Sequence, residues 1–233
     1  LDGRTLTQIL ITHRHRDHAG LARRLAEATG ASIAAHPASE SQSNFKTVMA
    51  GLMDESFESD LPVDASLKDQ MTLDTELGPI TTLYTPGHTS DHCCFWLECQ
   101  DTLFTGDHVM GWSTTVIAPP EGDMSAYMSA LRRLEGLQPK RLVPTHGLPI
   151  EEGGDFLQAL IDHRQGREDQ VIRALETGAK TVSDMVASLY PELTPALVPA
   201  AKLSLLGHLD ALLTEGRATL DGTEPLDHPF SLP

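Results

Sequence analysis

Three histidines and an aspartate fall within six residues, in the run Thr12-His13-Arg14-His15-Arg16-Asp17-His18. Two different hydrophobic periodicities meet at this run. Before it, residues 7–12 (TQILIT) form a compact apolar strand. After it, residues 19–29 place Leu21, Ala22, Leu25 and Ala26 at helical spacing, with Gly30 where a C-terminal cap belongs. Alternate residues of a strand end project to one side, so His13 and His15 point together, and the turn into the helix lets Asp17 and His18 face a neighbouring position. Imidazole and carboxylate at this density are the ingredients of a zinc, iron or manganese site.

Strand and helix patterns keep alternating downstream. Residues 31–35 (ASIAA) read as a second strand, and residues 39–60 as a polar, acidic surface excursion with a short helix around Val48 to Met53. From Met71 the β signal recurs at 71–73, 80–84, 92–97 and 102–104, punctuated by Gly or Asp, as successive antiparallel strands. Residues 123–137 carry Tyr127, Leu131 and Leu134 on one helical face, and residues 141–143 form a strand running into Pro144-Thr145-His146-Gly147. This makes residues 1–150 an α/β (α+β) core domain.

Residues 151–233 read as a separate helical unit. Phe156, Leu157, Leu160 and Ile161, then Val171, Ile172 and Leu175, make one amphipathic helix with a polar middle, HRQGREDQ, at 163–170. Val182, Val186 and Leu189 make a short helix stopped by Pro191, and Leu205, Leu206, Leu209, Leu212 and Leu213 are the core face of a third, capped by Gly216. Residues 217–220, the Asp221-Gly222 turn pair and residues 223–226 read as a β-hairpin, completing a winged-helix-like unit.

Composition narrows the partners. The 233 residues carry 17 Lys plus Arg against 33 Asp plus Glu, a net charge of −16 shared equally between the two parts, which repels polyanions and acidic membrane surfaces. Nucleic acid is therefore disfavoured as a partner and a small molecule favoured. No apolar run approaches the 18 or so residues that span a bilayer, so no membrane role is expected. Cys93, Cys94 and Cys99 are odd in number and clustered in one strand pattern, which argues against a disulfide framework and for the cytoplasm. The chain opens at Leu1 almost directly into a strand, so a signal peptide upstream stays open as well.

Later strand ends supply further ligand candidates, each beside a glycine that lets the backbone approach closely: His88 in TPGHTSDH, Asp107 in FTGDHV and His146 in PTHG. In order along the chain they suit convergence at one sheet edge with His13, His15, Asp17 and His18. The series HRHRDH, GHTSDH, TGDH and PTHG resembles the signature of the metallo-β-lactamase superfamily. The helical tail is similar to the β-lactamase-like hydrolase branch with a C-terminal winged-helix-like domain, a branch that includes glyoxalase II-like enzymes and a mitochondrial single-strand endoribonuclease.

That resemblance implies an αββα sandwich. Family members have several N-terminal strands before the first motif; here these are expected to be missing, which would expose a strand edge able to pair with a second copy. It implies two divalent cations, zinc first and iron or manganese as alternatives. His13, His15 and His88 would hold one, Asp17, His18 and His146 the other, and Asp107 would bridge them. It further implies hydrolysis by a metal-bridging hydroxide, which Asp17 would orient. An aspartate at 107 points away from antibiotic cleavage and toward the glyoxalase-like and nuclease-like branches.

Around this set, Asp91, Thr89 and Tyr127 are candidates for supporting contacts, and Tyr127 and His36 for lining a substrate pocket. His92 and His108 read either as supporting or substrate-facing residues or as hydrogen-bonded strand residues. His163, Arg164 and Arg167 read either as an anion clamp folded toward the pocket or as a surface salt-bridge set. His208 and His228 are expected to face solvent. The favoured function is hydrolysis of a small ester or thioester; the alternative is a metal-dependent single-strand endoribonuclease. A third possibility, a nucleic-acid-binding winged helix on an inactive scaffold, is weakened because Lys202 is the single basic residue between Pro195 and Leu213.

Overall fold

The structure, a computed structural model, describes residues 3–39, 43–45, 57–178, 180–226 and 228–233. The first apolar run forms strand β1 (Gln8–Leu10), and the histidine run leads into a one-turn helix, α1 (Arg16–Ala19). The expected helix over 19–29 starts later, as α2 (Ala22–Thr29), because Ala19 belongs to α1 and Gly20 and Leu21 intervene; it is closed by Gly30, whose N–H donates to the Ala26 carbonyl at 2.8 Å. Strand β2 (Ser32–Ala35) pairs in parallel with β1 and with a short strand absent from the sequence reading, β3 (Ala65–Ser66). In this sheet of order β1-β2-β3, β1 is an edge.

The second sheet follows the sequence closely. Strands β4 (Thr72–Leu73), β5 (Ile80–Tyr84), β6 (Cys93–Leu97) and β7 (Thr102–Gly106) are successively antiparallel. Helix α3 (Met124–Glu135) starts at Asp123, whose side chain accepts from Ala126 N–H at 2.8 Å. It carries the chain to β8 (Arg141–Pro144), which joins parallel to β7, and the two-residue strand β9 (Ile150–Glu151) completes a six-stranded sheet.

Period-two alternation builds the layers. On β6, Cys93 and Phe95 pack with Ala34 and Leu67 between the two sheets, while Cys94 and Trp96 face the opposite way against Tyr127, Leu131 and Leu134 of α3. On β2, Ala34 faces that inter-sheet layer while Ile33 and Ala35 face Ala19 and Ala22. The order of layers is helix, sheet, sheet, helix: the αββα sandwich expected from the resemblance.

The remaining helices are α4 (Gly153–Glu176), α5 (Val182–Leu189) and α6 (Val198–Thr214). At about 1.5 Å per residue, the 24-residue α4 runs about 36 Å. It places Leu157, Leu160 and Ile161 in the sandwich core, and Val171 and Ala174 in a second core with Met185, Leu205, Leu206, Leu209 and Leu212. Two expectations are corrected here. A 20-residue stretch, Pro195–Thr214, does reach membrane-spanning length at mean hydropathy 1.4, but its Leu205, Leu206, Leu209 and Leu212 pack into this second core. The hairpin pairs β10 (Thr219–Leu220) with β11 (Phe230–Ser231), not with 223–226. Pro225 has no N–H to give a ladder, whereas Phe230 buries its ring in the second core and donates its N–H to the Lys180 carbonyl at 2.7 Å.

The acidic excursion is more than surface where it is described. Phe45 is buried against Phe230, and Asn44 donates from its backbone and side chain to Asp210 at 3.0 and 2.8 Å. The helix expected around Val48 to Met53 lies outside the described residues.

Candidate metal centre

Four connections deliver the chemistry, each leaving the same rim of the sandwich. The β1–α1 turn brings His13, His15, Asp17 and His18; the segment after β5 brings His88, that after β7 Asp107, and that after β8 His146. Two glycines make the last approach possible. Gly106 sits at φ +51°, and a Cβ there would lie 2.7 Å from His92 Nε2. Gly87, at φ +138°, lies against the backbone of Tyr127, where a Cβ would come within 2.4 Å of its Cα.

The structure brings all seven side chains into one cluster. Ligand atoms of His13, His15 and His88 lie within 4.8 Å of one another, as do those of His13, His18 and Asp107, and those of Asp17, His18 and His146. The first trio is buried, at 1%, 6% and 7% exposure, while the side chains of Asp17 and His146 are 59% and 35% exposed, so the cluster is closed at one end and open at the other. Asp107 joins the two ends. Its Oδ2 is 3.3 Å from His18 Nε2, 3.4 Å from His146 Nε2 and 3.9 Å from His88 Nε2.

The donor set fits divalent cations. Ring nitrogens face one another across 3.0 Å (His13 Nε2 to His15 Nδ1) and 3.2 Å (His88 Nε2 to His15 Nδ1; His146 Nε2 to His18 Nε2), so their lone pairs converge. Asp107 Oδ1 is buried without a hydrogen-bond partner among the described residues. Burial, then the neighbouring imidazoles His92, His88, His18 and His15, holds His13 far below the ordinary imidazole range. Burial and the same kind of crowding push His15 down to about 4, against the opposing pull of Asp17 and Asp107. Both rings are thus neutral, the form that binds a metal. Burial raises Asp107, but the His18 hydrogen bond and the charges of His18, His88 and His146 outweigh it, leaving the carboxyl below its usual range and ionised.

Supporting contacts orient these groups. His88 Nδ1 donates to the Val116 carbonyl at 2.8 Å, which turns Nε2 inward. Thr12 Oγ1 lies 3.1 Å from His13 Nδ1 and does the same for that ring. His92 accepts the Asp107 N–H at Nε2 (3.1 Å), so its Nδ1 proton goes to Thr85 Oγ1 (2.8 Å). Thr115, which the sequence did not single out, donates its hydroxyl to the Asp107 carbonyl at 2.7 Å. Asp91 is buried, accepts from Thr89 Oγ1 at 2.8 Å and pairs with Arg14 at 3.8 Å, bracing the turn that carries His13 and His15. Phe57, also unforeseen, pairs with the His15 backbone and stands edge-on to its ring.

The candidate substrate contacts are placed differently. Tyr127 is fully buried in the sandwich core and donates its hydroxyl to the His108 carbonyl at 3.0 Å. Arg164 is buried too, donating to the Thr115 carbonyl and lying over the Tyr127 ring, so it is neither a clamp at the open end nor a surface ion pair. His163 is exposed on α4, and His36 stacks on Tyr84 with ring centroids 4.1 Å apart. His208, expected in solvent, is 1% exposed, and His228 is half-buried, accepting from the Thr223 and Glu224 N–H groups. A cavity of about 240 Å³ borders the His88 segment at Pro86, Gly87 and Ser90 but contains none of the seven cluster residues. The exposed side, at Asp17 and His146, is the approach to the cluster.

The sequence profile described as the metallo-beta-lactamase superfamily matches residues 1–146. The chain belongs to that superfamily. A second profile, the beta-lactamase associated winged helix domain, matches residues 181–224. Among curated relatives of this superfamily member, the atrochrysone carboxyl ACP thioesterase of Aspergillus fumigatus is 31% identical over 144 residues, 57% of this chain and 44% of its own length. The beta-lactamase-like protein 2 homolog of Drosophila melanogaster is 29% identical over 219 residues, 91% of this chain and 70% of its own. The chain spans 34% to 52% of the length of fungal relatives that it matches at 31% to 34% identity. A beta-lactamase domain protein from Burkholderia ambifaria superposes with a TM-score of 0.79 at 21% identity, over 100% of this chain and 77% of that one, which shows the shared fold.

Proposed function

We propose that this superfamily member is a dinuclear metal-dependent hydrolase of a small ester or thioester. The observation that carries the reading is the Asp107 carboxylate, within 4 Å of imidazoles from both the buried and the open group. We assign His13, His15 and His88 to one cation, Asp17, His18 and His146 to the other, and Asp107 to both. Divalent cations held there, zinc first and iron or manganese as alternatives, would supply Lewis acidity to a water and to an acyl carbonyl. Asp17, largely exposed with Oδ2 3.2 Å from His146 Nε2, is the carboxylate placed to orient an attacking water and would accept its proton.

A relative whose name is a thioesterase supports acyl chemistry. The charge of −16 supports a small substrate over a polyphosphate chain, which would need cationic groups to displace its counterions. We take residues 1–150 as the catalytic core and 151–233 as the winged-helix-like unit packed on it. Free thiols at Cys93, Cys94 and Cys99 support a reducing compartment, the cytoplasm.

The test is turnover by zinc-loaded protein on a small acyl thioester, with labelled single-stranded RNA in parallel. Thioester hydrolysis should fall about 100-fold in kcat in Asp17→Ala, with the RNA intact. RNA cleavage that disappears in the same variant would overturn the acyl reading in favour of the endoribonuclease alternative. Absence of both activities would overturn the hydrolase reading.

A further inference from the structure

Away from the metal cluster, α3, α4 and α6 line a solvent-open pocket of about 200 Å³. His208 lines it at 1% exposure, and neither of its ring nitrogens has a hydrogen-bond partner among the described residues. Arg164 lines it at 3% exposure, its Nε likewise unpartnered. Native structures hold few buried polar groups without partners, and the cost is greater when the group is charged. Both side chains border this one pocket, so an occupant seated there lies beside polar groups that the described residues leave unmatched.

Charge selects the kind of ligand. Arg132, Arg164 and Arg217 line the cavity together with Glu168 and Glu215. Arg217 reaches both carboxylates, at 2.6 and 2.8 Å, which leaves Arg132 and Arg164 without an acidic partner among the described residues. Three cations against two anions give a wall of +1 in a chain whose net charge is −16. We propose that this cavity is a binding site for a small oxyanion, a phosphate or carboxylate group, held by Arg132 and Arg164 with His208 as a third contact. Burial, then the charges of Arg164, Arg167 and His163, pushes His208 down to about 3, so its neutral ring offers one N–H and one lone pair to the occupant.

Met128 lines this cavity and not the one beside the His88 segment, so its methyl reports on it locally, while Met124 borders both. The experiment titrates zinc-loaded protein, labelled at methionine methyls, with inorganic phosphate in one arm and succinate in the other. Saturable shifts of the Met124 and Met128 methyls are expected in at least one arm, and the tighter arm names the group. In Arg132→Glu, a change on an exposed side chain, affinity should weaken about tenfold or more. His208→Phe should weaken it as well, with folding checked by circular dichroism. Unmoved Met124 and Met128 methyls in both arms, or unchanged affinity in Arg132→Glu, would overturn the proposal.

Discussion

Replacing His208 with phenylalanine should flatten the acid side of the protein's stability curve. In the folded state burial holds this imidazole at about 3, against 6.5 in an unfolded chain. As pH falls through 6.5 the unfolded state takes up a proton that the folded state refuses, so the stabilisation present at higher pH is lost progressively on the way down to the folded value. One such group contributes about 2 kcal/mol of loss between about pH 7.5 and 5. Guanidinium unfolding midpoints measured across that window, in excess zinc and in buffers free of phosphate and carboxylate, give the two slopes. Whatever the cluster histidines contribute is common to both proteins under the same zinc and cancels in the difference, as does any constant packing penalty of the larger ring. Wild type should lose about 2 kcal/mol more than His208→Phe over the window. Parallel curves would refute the reasoning, because they would mean that His208 takes up its proton equally in both states.

Three further outcomes follow from the packing. Replacing the His92 imidazole, whose Nε2 accepts the Asp107 N–H, with a ring that has no acceptor should weaken zinc affinity about 10- to 100-fold in His92→Phe, read by competition with a chelating dye. Phe230→Ala empties a ring that is 1% exposed and should cost about 3–5 kcal/mol, read as a fall in the thermal midpoint. Gly106→Ala forces a side chain into a positive φ and into the His92 ring, and should destabilise the fold by at least about 1 kcal/mol on denaturant unfolding.

The cluster was legible because each ligand sits in a short polar motif at a strand end, beside residues whose spacing already marks the strand. Thr115 and the Val116 carbonyl were not legible. They hold Asp107 and His88 from 8 and 28 residues away, in a loop with no motif of its own. Arg164 and His208 misled for a related reason. A polar residue within an amphipathic helix reads as surface, yet α4 and α6 pack on the sandwich as well as on each other, so faces that are polar in sequence become interior. The apolar stretch before Thr214 and the displaced hairpin share that cause, since both answer to a second core assembled from segments far apart in the chain.

Metal content bears most directly on the proposed centre. Protein refolded or reconstituted with excess zinc, then desalted, should carry two zinc ions per chain by elemental analysis, and Asp107→Ala at most one, because that carboxylate reaches both groups. Fewer than one ion in the wild type, or two retained in Asp107→Ala, would contradict a dinuclear centre bridged at this residue.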